Sequence, residues 1–169
     1  LKKNLTLTGM MGVGKSTIGK KLSKSLLMQF IDIDRIIEKK LKLTIQKIFE
    51  QKGEVFFRRF EEKTTLAEAK KKNVIISLGG GAFMNKNIRD YMNLHSKSFW
   101  LDLDIVLLTR RLKKSKQRPL LKEKNTKLTL EKIYKKRKST YSLANYRIDC
   151  NNLTSDLIVE KIVRLYEKN

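Results

Sequence analysis

An α/β fold with a parallel sheet covered on both faces is predicted by three observations. Five apolar runs that look like buried strands recur along the chain: Leu5–Thr8, Phe30–Asp32, Val74–Leu78, Phe99–Leu103 and Tyr146–Cys150. They alternate with stretches of helical spacing, the pattern that builds a parallel sheet with helices on its faces. Between the first run and the first helical stretch lies Gly9-Met10-Met11-Gly12-Val13-Gly14-Lys15-Ser16, which fits G-x-x-x-x-G-K-[ST] without a mismatch. A length of 169 residues favours one domain, residues 1–169, large enough to bury a core without disulfides.

Taken in order, the first helix starts near Lys15 and sets Ile18, Leu22 and Leu26 on one stripe. The second run ends Phe30-Ile31-Asp32-Ile33-Asp34. Two segments then interrupt the alternation and read as insertions. The first, about 33–66, is mostly helical and is expected to bind the second substrate. The second, about 113–125, is short, highly charged and holds the sole proline, Pro119; it reads as a mobile lid loop. The third run passes directly into Gly79-Gly80-Gly81-Ala82, a helix is expected from Leu128 to Asn145, and the last helix would bury Leu157, Val163 and neighbouring aliphatics.

Composition excludes several classes. One cysteine, Cys150, cannot form an internal disulfide, and one histidine, His95, leaves no Cys/His cluster at zinc spacing. No apolar run approaches the roughly 20 residues needed to span a bilayer, and no signal peptide or anchor is evident, so a cytoplasmic protein is expected. The net charge of +22 favours any polyanion and names none. Lysine runs such as Lys70-Lys71-Lys72 read either as a solvated helix face or as a nucleic-acid surface. No helix-turn-helix, zinc-finger or aromatic stacking motif supports the latter, so no specific nucleic acid is expected.

The phosphate loop carries the clearest chemistry. Its glycines let the backbone curl with amide hydrogens pointing inward, where they can cradle phosphate oxygens at the positive end of a helix. Lys15 adds a charge for the outer phosphates and the Ser16 hydroxyl can ligate magnesium. Nucleoside triphosphate binding follows; the acceptor does not.

Acceptor candidates come from four other places. Asp32 and Asp34, two apart at a strand end, can face one side. Asp32 suits magnesium through water and Asp34 suits an acceptor hydroxyl; helix capping is the competing reading. Arg58 precedes Glu61 by three residues, which either holds its fork for a substrate carboxylate or makes a solvated ion pair. Arg137 shares a stripe with Ile133 and Tyr141, beside Tyr134, and needs an anionic partner, either a structural acid or a bound carboxylate. Gly79, Gly80 and Gly81 imply that something approaches the backbone more closely than a turn requires, with Gly80 offering its amide to the substrate. On the lid, Arg118 beside Pro119 could close over the phosphates, and Arg110 and Arg111 precede it.

Together these motifs resemble the shikimate kinase family along nearly the whole chain: Gly9-x-x-Gly12-x-Gly14-Lys15-Ser16-Thr17, Phe30-x-Asp32-x-Asp34, Ile48-Phe49 with Gly53-Glu54, Phe57-Arg58-x-x-Glu61, Ser77-Leu78-Gly79-Gly80-Gly81-Ala82, Arg118-Pro119-Leu120-Leu121 and Arg137-x-x-x-Tyr141. The resemblance implies a P-loop NTPase fold of the nucleoside-monophosphate-kinase type with a five-stranded parallel sheet. It implies phosphorylation of the 3-hydroxyl of shikimate by ATP, on the route to chorismate and the aromatic amino acids. Asp34, Arg58, Gly80 and Arg137 would then hold shikimate, Gly12 to Thr17 and Arg118 would hold ATP, Arg111 would lie against adenine, and Ser16 with Asp32 would serve magnesium. Lys15, Asp34 and Arg118 are the expected catalytic residues, and a monomer is expected. After Ile148-Asp149 the family often carries a proline, where this chain reads Cys150-Asn151-Asn152-Leu153-Thr154. The rivals are a small kinase acting on gluconate or a nucleotide, and a nucleic-acid-binding P-loop ATPase.

Overall fold

The computed structural model describes residues 3–113 and 126–168. Five parallel strands form one sheet in the order β2-β3-β1-β4-β5. They are β1 (Asn4–Thr8), β2 (Gln29–Asp32), β3 (Val74–Ser77), β4 (Ser96–Asp102) and β5 (Tyr146–Asp149). Each strand overlaps a run expected from sequence. The largest difference is at β4, which begins three residues early because Ser96 and Ser98 satisfy their hydroxyls on Thr6, Asn93 and Asn145 and so enter a buried sheet without cost in unpaired polar groups.

The helices described are α1 (Lys15–Leu26), α2 (Ile33–Leu41), α3 (Ile45–Ala69), α4 (Lys86–His95), α5 (Ile105–Lys113), α6 (Thr126–Tyr141) and α7 (Ser155–Glu167), with a 3₁₀ turn at Ala82–Met84. Helix α3 is interrupted at Gly53, whose φ of 79° and ψ of 169° are not helical. On α1 the expected stripe faces inward, with Ile18 and Leu22 buried and Leu26 partly so. On α7 the neighbouring aliphatics Ile158, Val159 and Ile162 are buried with Tyr166, and Val163 packs partly against the core, but Leu157 is 46 % exposed. The Thr154 hydroxyl caps α7 on the Leu157 amide, which places Leu157 in the first turn facing solvent. Helix α6 also ends at Tyr141, four residues before the expected end.

The register positions the site. Asp32 pairs with Ser77, Leu7 with Ser77, and Thr8 with Trp100, so β1, β2 and β3 end side by side. The segments that follow them are Gly9–Ser16, Ile33–Asp34 and Gly79–Gly81. These therefore emerge together at the carboxyl edge of the sheet, the edge where open α/β sheets bind ligands. Below that edge Leu5, Leu7, Ile75, Ile76, Phe99 and Leu101 are almost wholly buried, each such side chain contributing about 1.5–3 kcal/mol. No helix among the described residues is long and apolar enough to cross a membrane.

Candidate active site

The loop after β1 is shaped by its backbone. Gly14 is the N-cap of α1 at φ 106°, and a Cβ there would meet nothing within 4 Å, so its glycine answers to conformation alone. No side chain caps α1 at Gly14, which leaves first-turn amides directed into the loop. Lys15 is buried, and its Nζ donates to the carbonyls of Gly9 at 2.8 Å and Met10 at 2.9 Å. Val13 is buried beneath the loop and Thr17 is exposed on the first turn of α1. Ser16 Oγ donates to Asp32 Oδ2 at 2.6 Å. Asp32 is also the N-cap of α2, accepting from the Arg35 amide through Oδ1 at 3.4 Å. The capping reading of this aspartate therefore holds through Oδ1, while Oδ2 faces the Ser16 hydroxyl.

The triple glycine is where the remaining candidates meet. A Cβ on Gly79 would lie 2.7 Å from both Asp34 Oδ1 and Glu61 Oε1. One on Gly80 would lie 3.2 Å from the Met11 amide nitrogen and 3.7 Å from Arg137 Nη1, and one on Gly81 would lie 2.7 and 2.8 Å from the two terminal nitrogens of Arg58. None of these three glycines has positive φ. Crowding by neighbouring groups, not backbone freedom, is what disfavours a side chain here. Asp34 comes from the first turn of α2, Arg58 and Glu61 from α3, Arg137 from α6 and Met11 from the phosphate loop.

Charge is tightly disposed around this strip. Arg58 donates to Glu61 Oε2 at 2.6 Å and to Glu54 Oε1 at 3.3 Å. Burial draws its pKa down, but Glu61 and Glu54 more than offset this, so the guanidinium stays charged. Glu61 is 1 % exposed. Burial lifts its carboxyl pKa above the ordinary glutamate value; Arg58 opposes the rise and the negative charge of Asp34 adds to it. Its Oε1 is buried without a hydrogen-bond partner among the described residues. Arg137 Nη1 donates to the Gly80 carbonyl at 2.9 Å, and Tyr141 Oη donates to the same oxygen at 2.5 Å. Among the described residues Arg137 takes part in no ion pair within 4.0 Å, but its charge is felt by the buried Glu61 carboxyl, whose pKa it draws downward.

A pocket of about 300 Å³ lies beyond the other side of the loop, lined by Leu107, Arg110, Arg111, Cys150, Asn152 and Leu153. Arg111 Nη1 donates to the Val13 carbonyl at 3.4 Å, joining this pocket to the phosphate loop. Burial pushes the Cys150 thiol up to about 12, so it lines the pocket as a neutral group. The pocket sets Leu107 and Arg110 of α5 beside Asn152 and Leu153 of the segment after β5, a pairing that no short-range spacing encodes. Sequence reasoning missed the bond from Tyr141 to Gly80, although the stripe with Arg137 placed that phenol on the inward face. Arg118 lies outside the described residues.

The family model described as Shikimate kinase matches residues 11–167. The chain belongs to the shikimate kinase family. A shikimate kinase from Sulfurihydrogenibium sp. is 42 % identical over 161 residues, covering 95 % of this chain and 96 % of the relative. Among solved structures, shikimate kinase from Bacteroides thetaiotaomicron superposes with a TM-score of 0.92 at 32 % identity, covering 98 % of each chain. Shikimate kinase from Acinetobacter baumannii in complex with shikimate gives a TM-score of 0.90 at 33 % identity, covering 96 % of this chain and 92 % of that one. Shikimate kinases are ATP-using phosphotransferases that act on an alcohol group, and the five-stranded parallel sheet with its loop after β1 is the P-loop fold of nucleoside-monophosphate-kinase type.

Proposed function

We propose that the chain transfers the γ-phosphoryl group of ATP to the 3-hydroxyl of shikimate, and that the residues meeting on the triple glycine are its acceptor site. The observation that supports this most is the convergence of Asp34, Arg137 and Arg58 on Gly79, Gly80 and Gly81 in turn, beside the phosphate loop. A carboxylate next to two guanidinium groups suits an acceptor that carries both hydroxyls and an acid group. Arg58 and Arg137 hold the shikimate carboxylate through charge-assisted bonds. Gly80 donates its amide to the substrate, with Gly79 and Gly81 leaving room for it.

Asp34 accepts a hydrogen bond from the reacting hydroxyl and aims its oxygen at the γ-phosphorus. As the new O–P bond forms, the bond to the bridging oxygen of ADP breaks and the hydroxyl proton passes to the Asp34 carboxylate. Because the transition state is loose, orientation by Asp34 counts for more than its basicity. Lys15, with the amides of Gly12 to Thr17, binds the β- and γ-phosphates. Arg118 of the lid and Arg111 of the 300 Å³ pocket bind the triphosphate and adenine, respectively. The oxygens of Ser16 and Asp32, 2.6 Å apart, are hard donors at the mouth of the loop and would hold magnesium, partly through water. When bound there, that ion neutralises charge on the phosphate oxygens.

The test is ATP-dependent product formation with shikimate as the sole acceptor, run beside gluconate and nucleoside monophosphates. Turnover with shikimate and not with the others is expected. Turnover with another acceptor and none with shikimate would overturn the assignment.

A further inference from the structure

We propose that Tyr134 is a positioning residue for the acceptor site: its bond to Asp102 sets the rotation of α6 and thereby the reach of Arg137. This rests on the reading of Arg137 as a ligand of the substrate carboxylate. Leu130, Tyr134, Arg137 and Tyr141 fall on one stripe of α6. Leu130 and Tyr141 are fully buried and anchor the helix at its two ends. Apolar contact is non-directional and leaves a helix free to roll by small amounts. A hydrogen bond to a fixed partner does not.

That partner is Asp102 at the end of β4, a carboxylate 6 % exposed. Its Oδ1 accepts from Tyr134 Oη at 3.0 Å. Its Oδ2 accepts from Arg147 Nε at 2.9 Å and from Nη2 at 2.7 Å, so both oxygens are engaged and the carboxylate is held from β5. Arg147 in turn lies over Trp100, 5.2 Å from the ring centroid, and Trp100 stacks on Tyr141 with centroids 6.0 Å apart. The contacts run from Tyr134 through Asp102, Arg147 and Trp100 back to Tyr141, and so close on α6 itself. Arg137 sits inside that ring, three residues after Tyr134 and four before Tyr141, with its guanidinium at the Gly80 carbonyl. Burial, then the bond to Asp102, pushes the Tyr134 phenol up to about 12, so it remains a donor across the working pH range.

Calorimetric titration of shikimate and ATP into Tyr134→Phe, Arg137→Ala and the double variant separates positioning from plain stabilisation. Tyr134→Phe is expected to weaken shikimate binding about tenfold while leaving ATP affinity within about twofold. In the Arg137→Ala background the same change is expected to weaken shikimate no further, because the guanidinium through which it acts is gone. Unchanged shikimate affinity in Tyr134→Phe, or an equal loss in both backgrounds, overturns the proposal. If Arg137→Ala alone leaves shikimate affinity intact, it is the carboxylate role of Arg137 that fails. A second route uses Asp102, since Asp102→Asn keeps an oxygen for the phenol and Asp102→Ala does not. Retention of most affinity by the first and loss by the second is expected; equal weakening by both overturns the proposal. Emission from Trp100, the sole tryptophan, reports directly on whether α6 is docked in each variant.

Discussion

Two glycine clusters face each other across this site, and one member of each, Gly14 and Gly81, is glycine for the opposite reason. Gly14 in the phosphate loop sits at φ 106° with open space where a Cβ would be, whereas Gly81 has φ −103°, ordinary for any residue, with the Arg58 guanidinium 2.7 Å from that point. Gly9, Gly12 and Gly14 all have positive φ, so the loop is first a device of backbone conformation, written in one contiguous stretch of sequence, although a Cβ on Gly9 or Gly12 would also lie 2.5 Å from Leu101 or Leu112. The triple glycine is a platform of absent side chains, and what it serves arrives from α2, α3, α6 and the loop itself. The comparison separates the grip proposed for the donor's phosphates, which is local, from the proposed choice of the acceptor, which is not.

The largest expected effect falls on the local half. Lys15→Ala removes the buried charge held over the loop and should lower kcat on the order of 10³-fold with the fold intact, as measured by steady-state kinetics and thermal unfolding. Near-normal turnover would detach the loop from the chemistry.

The glycines themselves sharpen the contrast. Gly81→Ala meets only the flexible end of Arg58, so the protein should fold while the guanidinium shifts; the KM for shikimate should rise about tenfold and that for ATP should not. Gly14→Ala meets no atom but strains the backbone by about 1–2 kcal/mol, and should raise the KM for ATP while sparing shikimate. Exchange of these two patterns would refute the division.

The smallest effect is a pH dependence. Burial raises the Glu61 pKa, so this carboxyl takes up its proton at a higher pH than an exposed glutamate and then ceases to hold Arg58 by charge. The KM for shikimate should therefore rise as pH falls through that raised value, and Glu61→Gln should abolish the inflection. Stability moves the other way. With its folded pKa above the unfolded one, Glu61 favours folding below the unfolded value, and that contribution is lost as pH rises through the folded one. Denaturant melts against pH for wild type and Glu61→Gln should differ in that window and in that direction.

How much of this was legible in the sequence follows the same division. The loop, the strands and the Arg58–Glu61 spacing are short-range patterns, and the structure places each within a few residues of where the pattern puts it. The three glycines signalled a close approach without naming what approaches. Asp34, Arg58 and Arg137 were found singly, but that each abuts a different glycine depends on the pairing of β1, β2 and β3, which no spacing encodes. On α7 Leu157 was misplaced because an aliphatic on the first turn looks the same in sequence whether buried or exposed. Asn4 carried no signal at all. It is buried at the start of β1, donating to the carbonyls of Ala69 and Lys71 and accepting from the Val74 amide, and so ties the end of α3 to β3. Asp102 and Tyr134 were likewise invisible as a pair, 32 residues apart and joined only across the edge of the sheet.

The central claim is that Arg58 and Arg137 grip the acid group of the acceptor beside the triple glycine. It is tested most directly by comparing the binding of shikimate with that of its methyl ester, in the wild type and in Arg58→Ala. The ester is expected to bind wild type on the order of 100-fold more weakly than the acid, and Arg58→Ala is expected to shrink that difference sharply. An ester that binds wild type as tightly as the acid would contradict the account.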